Sequence, residues 1–408
     1  MRLACVVHRF GAEIAGGSEG HCRVIAERLA EHHTVTVLTT TARDHVSWRN
    51  EYPAGSSVLG PLTVHRFPVV RQRVIREFAD ISETVFSGDA TPDVQAEWFR
   101  QNGPEAPALL EHLKAHGGEY DRILFWSFRY YQSFFGLPIV AERAILLPTA
   151  EEDPAIRIGV LADYFTRPAG MIYLTPEEQT LVERRIQGRV PPSCIIGSGL
   201  DAVATAAAGE HHAALASVGV ETPYVLYLGR IDPNKGCDTL LRFYARWADR
   251  QRQQDARRQP GRSEHPIPLV MAGPANMPIP SHPDVRSLGY VPAAVRESLL
   301  AEASLLVVPS PFESLSMVLL EAWNHGVPAL VNARCKVLEG QAQRAGGALA
   351  YRNYDQFAVA LTRLLDNPAV ARQLGRSGQA YVERTYRWPH VMETLERFLQ
   401  AVGPAVAA

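Results

Sequence analysis

Short apolar runs alternate with stretches of helical spacing along almost the entire chain. In the first half the runs predict strands at Leu3–Val7, Thr34–Leu38, Ile123–Phe125, Ala144–Leu147, Met171–Leu174 and Cys194–Ile196. Helical patterns fall at Gly20–Glu31, Pro107–His116 and Pro176–Gln187. In the second half the strands are Tyr224–Leu228, Leu269–Ala272, Leu305–Val308, Ala329–Val331 and Ala348–Tyr351. Helices are expected at Asp238–Arg250, Ala293–Ala303, Met317–His325 and Asp355–Leu365. This β-α-β alternation implies an α/β protein with two parallel, doubly wound sheets covered on both faces. The alanine-rich segment Gly197–Thr222, with His211 and His212, carries no strong period and reads as the boundary. The expected domains are 1–199 and 200–385, and a final amphipathic helix, Trp388–Val402, lies in a segment (386–408) expected to pack back on the first domain.

Length supports this division, because 408 residues exceed what one hydrophobic core usually organises. The formal charge of −2 gives no bulk reason to expect nucleic acid as a partner. Five scattered cysteines (Cys5, Cys22, Cys194, Cys237 and Cys335) form no C-x-x-C pair. That pattern fits reduced cytoplasmic thiols and argues against a disulfide framework or a zinc site. The amino terminus is too short in apolar residues for a signal peptide and reads as a first strand. No apolar run approaches the ~18 residues that span a bilayer. The arginine-rich stretch Arg250–Pro268 reads as a helix end running into a solvated loop, with peripheral contact to an anionic membrane face as the alternative.

Candidate chemistry gathers where predicted strands hand over to helices. Glu313 and Glu321, eight positions apart, flank such a turn at Ser310–Ser316. In open α/β sheets ligands bind outside the carboxyl ends of strands, and helix amino ends favour phosphate. Carboxylates there suit sugar hydroxyls, ribose included, although one capping and one solvated glutamate would leave the same pattern. Tyr224–Gly236 delivers Arg230 and Lys235 into another such loop, where two cations suit a diphosphate leaving group; surface salt bridging is the plainer alternative. Gly11–Ser18, with Gly16 and Gly17, follows the first strand and lets backbone approach an anion, as would a tight turn without function. Glu151 lies in the acidic run Pro148–Pro154, where a carboxylate could accept a hydroxyl proton or simply be solvated. Trp126, Phe128, Tyr130 and Tyr131 surround Arg129, an arrangement found in sugar sites and, more commonly, in cores.

Taken in order, Gly16-Gly17, Gly229-Arg230…Lys235-Gly236 and Glu313-x7-Glu321 resemble retaining glycosyltransferases of the GT-B fold, family 4 (glycosyl transferases group 1). Gly197–Asp201, Gly289–Val291 and Tyr381…Tyr386-x-Trp388 also match, so the resemblance runs over nearly the whole chain. It implies two Rossmann-like domains facing across a cleft, a nucleotide-diphosphate-sugar donor (UDP-sugar favoured, GDP-sugar the alternative) and a hydroxyl acceptor. Arg230 and Lys235 would hold the diphosphate, Glu321 the ribose and Glu313 the transferred sugar. Backbone N–H groups across Ser314, Leu315, Ser316, Met317 and Val318 would face sugar and phosphate. Gly16 and Gly17 would approach the donor, and Gly289, Tyr290 and Val291 would lie at the base. The resemblance implies no metal or other cofactor, and a cytoplasmic enzyme, peripheral to the membrane at most.

Two positions depart from the family pattern. Glu151 stands where many members carry a histidine, and Ser316 stands where a glycine is usual. The resemblance implies front-face transfer with retained anomeric configuration, in which a donor phosphate oxygen helps take the acceptor proton. A nucleotide-sugar epimerase and a non-catalytic nucleotide-sugar-binding protein share the fold and stand as the alternatives.

Overall fold

The computed structural model describes residues 1–14, 16–204, 209–258 and 266–403. Parts of Gly11–Ser18, Gly197–Thr222, Arg250–Pro268 and the segment 386–408 singled out above therefore lie outside the described residues. The chain divides into two units, Met1–Ser198 with Pro389–Ala408, and Gly199–Trp388.

The first unit holds strands β1 (Arg2–Val6), β2 (Thr34–Thr40), β3 (Gly55–Leu59), β4 (Leu62–Phe67), β5 (Arg122–Trp126), β6 (Ala144–Leu147), β7 (Gly170–Tyr173) and β8 (Ser193–Ile195). They form one sheet in the order β3-β4-β2-β1-β5-β6-β7-β8. Strands such as β6, Ala-Ile-Leu-Leu, are buried along their whole length, as continuous apolar runs in a two-faced parallel sheet must be. The expectation of purely parallel sheets needs one correction. β3 pairs antiparallel with β4 in a hairpin turning at Gly60, and neither strand was anticipated. β3 is an exposed edge strand with a polar sequence, Gly-Ser-Ser-Val-Leu, so it carries no apolar signature. One layer of core is built on Phe125, Leu146, Phe128 and Phe165, and it reaches Trp98 and Phe99 on a helix that was also not anticipated.

The terminal helix Trp388–Ala401 contributes to this unit. Glu396 meets His33 at 2.8 Å, and Phe398 and Val402 crowd Gly170 so closely that a Cβ there would lie 2.9 Å from the Phe398 ring.

The second unit holds β9 (Val225–Leu228), β10 (Leu269–Ala272), β11 (Val285–Gly289), β12 (Leu305–Val308), β13 (Ala329–Asn332) and β14 (Ala348–Tyr351), ordered β11-β10-β9-β12-β13-β14 and parallel throughout. Its core packs Tyr227, Tyr244, Trp247, Phe357 and Leu361 against β9, β10 and β12. The helix expected over Asp238–Arg250 runs further, Cys237–Arg258, where Arg246 and Arg250 lie over the Tyr354 ring at 3.9 and 5.1 Å. Among the described residues no helix is long and apolar enough to cross a membrane.

Candidate active site

Each sheet reverses its direction of growth at one place, and such switch points open a crevice beyond the strand ends. In the second unit this lies between β9 and β12, which are hydrogen-bonded neighbours although β10 and β11 intervene in the chain. The two loops leaving these strands are Gly229–Gly236 and Pro309–Ser316. They are drawn together by a glycine. Gly236 has φ +75°, and a Cβ there would lie 2.4 Å from the Pro309 carbonyl oxygen. Only a residue without a side chain permits that approach at that φ. The neighbouring Lys235 consequently places its ammonium 2.8 Å from Glu313 Oε1, with both side chains largely covered.

Arg230 is not part of this pair. Its side chain is exposed, while its carbonyl oxygen accepts the Tyr227 hydroxyl at 2.5 Å. Glu321 lies on the eight-residue helix Met317–Asn324 as its fifth residue, one turn or so in rather than two. Its carboxylate is bonded by Arg296 on the helix Ala293–Glu302. Burial pushes the Glu321 carboxyl above the usual range, and the Arg296 charge opposes that rise. Ser314 is half-buried, Leu315 and Ser316 are buried, and Met317 and Val318 are half-buried at the helix start. Gly289 ends β11 with φ +66°, Tyr290 is 82% exposed and Val291 is buried.

In the first unit the switch point lies between β1 and β5. The loop after β1 carries His8 and Arg9, and the loop after β5 carries Arg129 and Tyr130. His8 and Tyr130 stack at 3.7 Å between ring centroids, with Trp48 edge-on to both. Glu19, in the first turn of the helix Gly17–Leu29, accepts hydrogen bonds from Arg9 and meets His8 Nε2 at 2.9 Å. Burial acts to raise the Glu19 carboxyl, but the His8 contact and the Arg9 charge hold it well below the usual carboxylate range. Burial lowers His8 below its ordinary value, against the opposing pull of the Glu19 carboxylate. A Cβ on Gly16 would fall 2.1 Å from the Glu19 carboxylate, so a side chain there would push that carboxylate aside. Gly17 has open space around it.

Glu151 lies half-buried on the loop after β6, 3.8 Å from Arg129, whose other nitrogen pairs with Asp153 at 2.6 Å. Beneath that loop the fully buried Glu178 accepts from the Ala150 N–H at 2.7 Å and the Leu174 N–H at 2.6 Å. Burial pushes its carboxyl up to about 8, against the pull of those amides, and the Glu151 charge adds to the rise. Among the described residues three non-glycine residues have positive φ: Trp48 (61°), Ser127 (64°) and Thr149 (47°). Ser127 and Thr149 directly follow the carboxyl ends of β5 and β6, Trp48 lies in the loop between β2 and β3, and strained backbone of this kind gathers where ligands bind. The aromatic group around Arg129 divides accordingly: Trp126, Phe128 and Tyr131 are core, and Tyr130 alone lies at the edge.

The sequence pattern missed His8, Arg9, Glu19, Glu178 and Arg296. Glu178 had a readable signal, since Thr175-x-x-Glu178 has capping-box spacing and the Thr175 hydroxyl accepts the Glu178 N–H at 3.2 Å. Glu19 follows the glycine pair into a helix start, where acids are favoured. Arg296 had none, being 25 positions from its partner. Among the described residues no group of three or more His, Cys, Asp or Glu side chains is placed to hold a metal.

Residues 222–367 match the family described as "Glycosyl transferases group 1". A D-inositol 3-phosphate glycosyltransferase 2 from Catenulispora acidiphila is 32% identical over 200 residues, 44% of this chain and 43% of that protein. The match thus spans less than half of that relative's length. Among solved structures, sucrose-phosphate synthase from Thermosynechococcus elongatus superposes with a TM-score of 0.67 at 17% identity, covering 98% of this chain and 99% of the other. Anabaena HepE in complex with UDP-glucose gives 0.66 at 15% identity, covering 98% and 100%. At such identity these two likenesses define the fold alone. The protein has the GT-B fold of two parallel-sheet α/β units. The match to the glycosyl transferases group 1 family falls inside the second unit, and Arg230, Lys235, Glu313 and Glu321 all lie among the matched residues.

Proposed function

We propose that the protein is a retaining glycosyltransferase that moves a sugar from a nucleotide-diphosphate-sugar, a UDP-sugar in preference to a GDP-sugar, to an acceptor hydroxyl. The acceptor hydroxyl belongs to a glycan, a lipid-linked acceptor or a small molecule. The observation that carries this reading is the Lys235–Glu313 pair, 2.8 Å apart at the switch point of a group 1 domain. A cation and a carboxylate held together there match a donor that presents a diphosphate beside sugar hydroxyls. Lys235 and Arg230 serve the diphosphate, Glu313 orients the sugar, and Glu321 takes the ribose, with Arg296 holding its carboxylate. Gly16, Gly17 and the main chain at Gly289, Tyr290 and Val291 complete the proposed donor contacts. Glu151 is the candidate for the acceptor hydroxyl, held through the Glu178 and Arg129 contacts of its loop.

The test is incubation of the purified protein with UDP-glucose or GDP-glucose and a panel of hydroxyl acceptors. Nucleoside diphosphate release and the anomeric configuration of the product are followed by NMR. An α-linked product from an α-linked donor is expected. Conversion of the donor without acceptor would point to an epimerase, and binding without turnover on any acceptor to a non-catalytic protein.

A further inference from the structure

Ser316 departs from the usual glycine, and the structure gives its hydroxyl nothing to do. It is the N-cap of the helix Met317–Asn324, with extended φ and ψ of −90° and 96° suited to capping, yet its side chain makes no cap bond. The residue is 2% exposed, and its Oγ is buried without a hydrogen-bond partner among the described residues. A buried hydroxyl in that condition is costly, and native proteins rarely retain one without a use. Its surroundings indicate the use. The helix follows the loop that leaves β12 at the β9/β12 switch point, so its amino end lies beside that crevice. Three residues earlier stands Glu313, in contact with Lys235. The positive end of a helix, a nearby ammonium and an unused O–H donor together favour an anionic oxygen over a neutral hydroxyl.

We propose that the Ser316 hydroxyl is a ligand of the donor's distal phosphate, which makes this residue a determinant of affinity for diphosphate over monophosphate. The inference rests on the nucleotide-sugar reading above. The bond is made when the donor seats on the helix start, and Oγ then donates to a non-bridging oxygen. A glycine at this place offers only its amide, so the serine adds a contact that the usual residue lacks.

The experiment is calorimetric titration of the full-length wild type, Ser316→Ala and Ser316→Gly with UMP, UDP and UDP-glucose. Both variants are expected to lose about tenfold in affinity for UDP and for UDP-glucose alike, with UMP unchanged. Ser316→Ala, freed of an unpaired hydroxyl, is expected to melt at or above the wild-type temperature without ligand. Unchanged UDP affinity in both variants would overturn the assignment. So would a loss seen with UDP-glucose but not UDP, which would make Ser316 a reader of the sugar. Failure of the wild type itself to bind any of these, or the guanosine equivalents, would instead remove the parent reading.

Discussion

Lys235 Nζ lies 2.8 Å from Glu313 Oε1, although 78 positions separate them in the chain. Each charge is the other's neighbour before any ligand arrives. On the proposed reading, a diphosphate that engages Lys235 would weaken its hold on Glu313 and release that carboxylate for hydroxyls, so phosphate and sugar recognition would be coupled through one contact. Lys235→Ala should weaken UDP binding at least about tenfold. Glu313→Gln should cost UDP-glucose affinity more than UDP affinity. The double variant should lose less than the sum of the two, as calorimetry on all four proteins will show.

Glu321 is held by Arg296 and, on the proposed reading, meets a ribose. The wild type should prefer UDP over 2′-deoxy-UDP by about tenfold. Glu321→Ala should erase most of that preference while leaving the affinity for 2′-deoxy-UDP close to wild type. Competition binding with the two nucleotides checks it.

How far these sites could be read from sequence depended on distance along the chain. Glu313, Ser316 and Glu321 lie within one strand–turn–helix unit, so apolar run, turn and helix were legible together. Lys235 was legible from its strand and its flanking glycine. Its pairing with Glu313 was not, because it depends on Gly236 closing under Pro309 from another strand. Arg296 was invisible for the same reason. In the first unit the buried strands were readable as apolar runs, but β3 was not, because an exposed edge strand need not be apolar. His8 looked like part of a strand end, and only the stacking on Tyr130 and the contact with Glu19 give it meaning.

His21 offers a prediction about acid stability. Its Nε2 lies 2.9 Å from the Gly197 carbonyl, and the Trp126 N–H donates to its Nδ1 at 3.1 Å. Both ring nitrogens are thus occupied by the neutral form, and burial lowers the pKa to about 4. The unfolded chain takes up this proton below about 6.5 while the folded one does not. Stability should fall as pH drops through that window, with His21 contributing on the order of 3 kcal/mol by pH 4. Denaturant unfolding from pH 7 to 4 should show a shallower decline for His21→Gln, from a lower starting stability.

Gly236→Ala should be disproportionately harmful. The position combines φ +75° with a Cβ 2.4 Å from the Pro309 oxygen, and backbone cannot retreat like a flexible side chain. A loss of about 1–3 kcal/mol is expected, with reduced UDP affinity because Lys235 moves with the loop. Gly17→Ala, in open space, serves as the comparison in thermal melts.

Glu178→Gln should loosen the loop that carries Glu151. An amide can accept one backbone N–H, but its NH2 group then faces the other donor. Hydrogen exchange at Ala150 or Leu174 should speed up markedly, while exchange in β9 and β12 stays as in the wild type.

The two ends of the second unit lie side by side. Leu200 N–H donates to the Tyr386 carbonyl at 2.7 Å, and the Trp388 ring lies so close to Gly199 that a Cβ there would fall 2.2 Å from it. The segment Gly199–Trp388 is consequently inserted within the first unit, with its two ends fastened side by side. Such a segment is a removable cassette. Its ends need no long linker to be rejoined, and a homologous segment could be spliced in at the same two points. On the proposed reading, in which this segment holds the donor, exchanging donor preference between relatives would mean transplanting one contiguous stretch of gene.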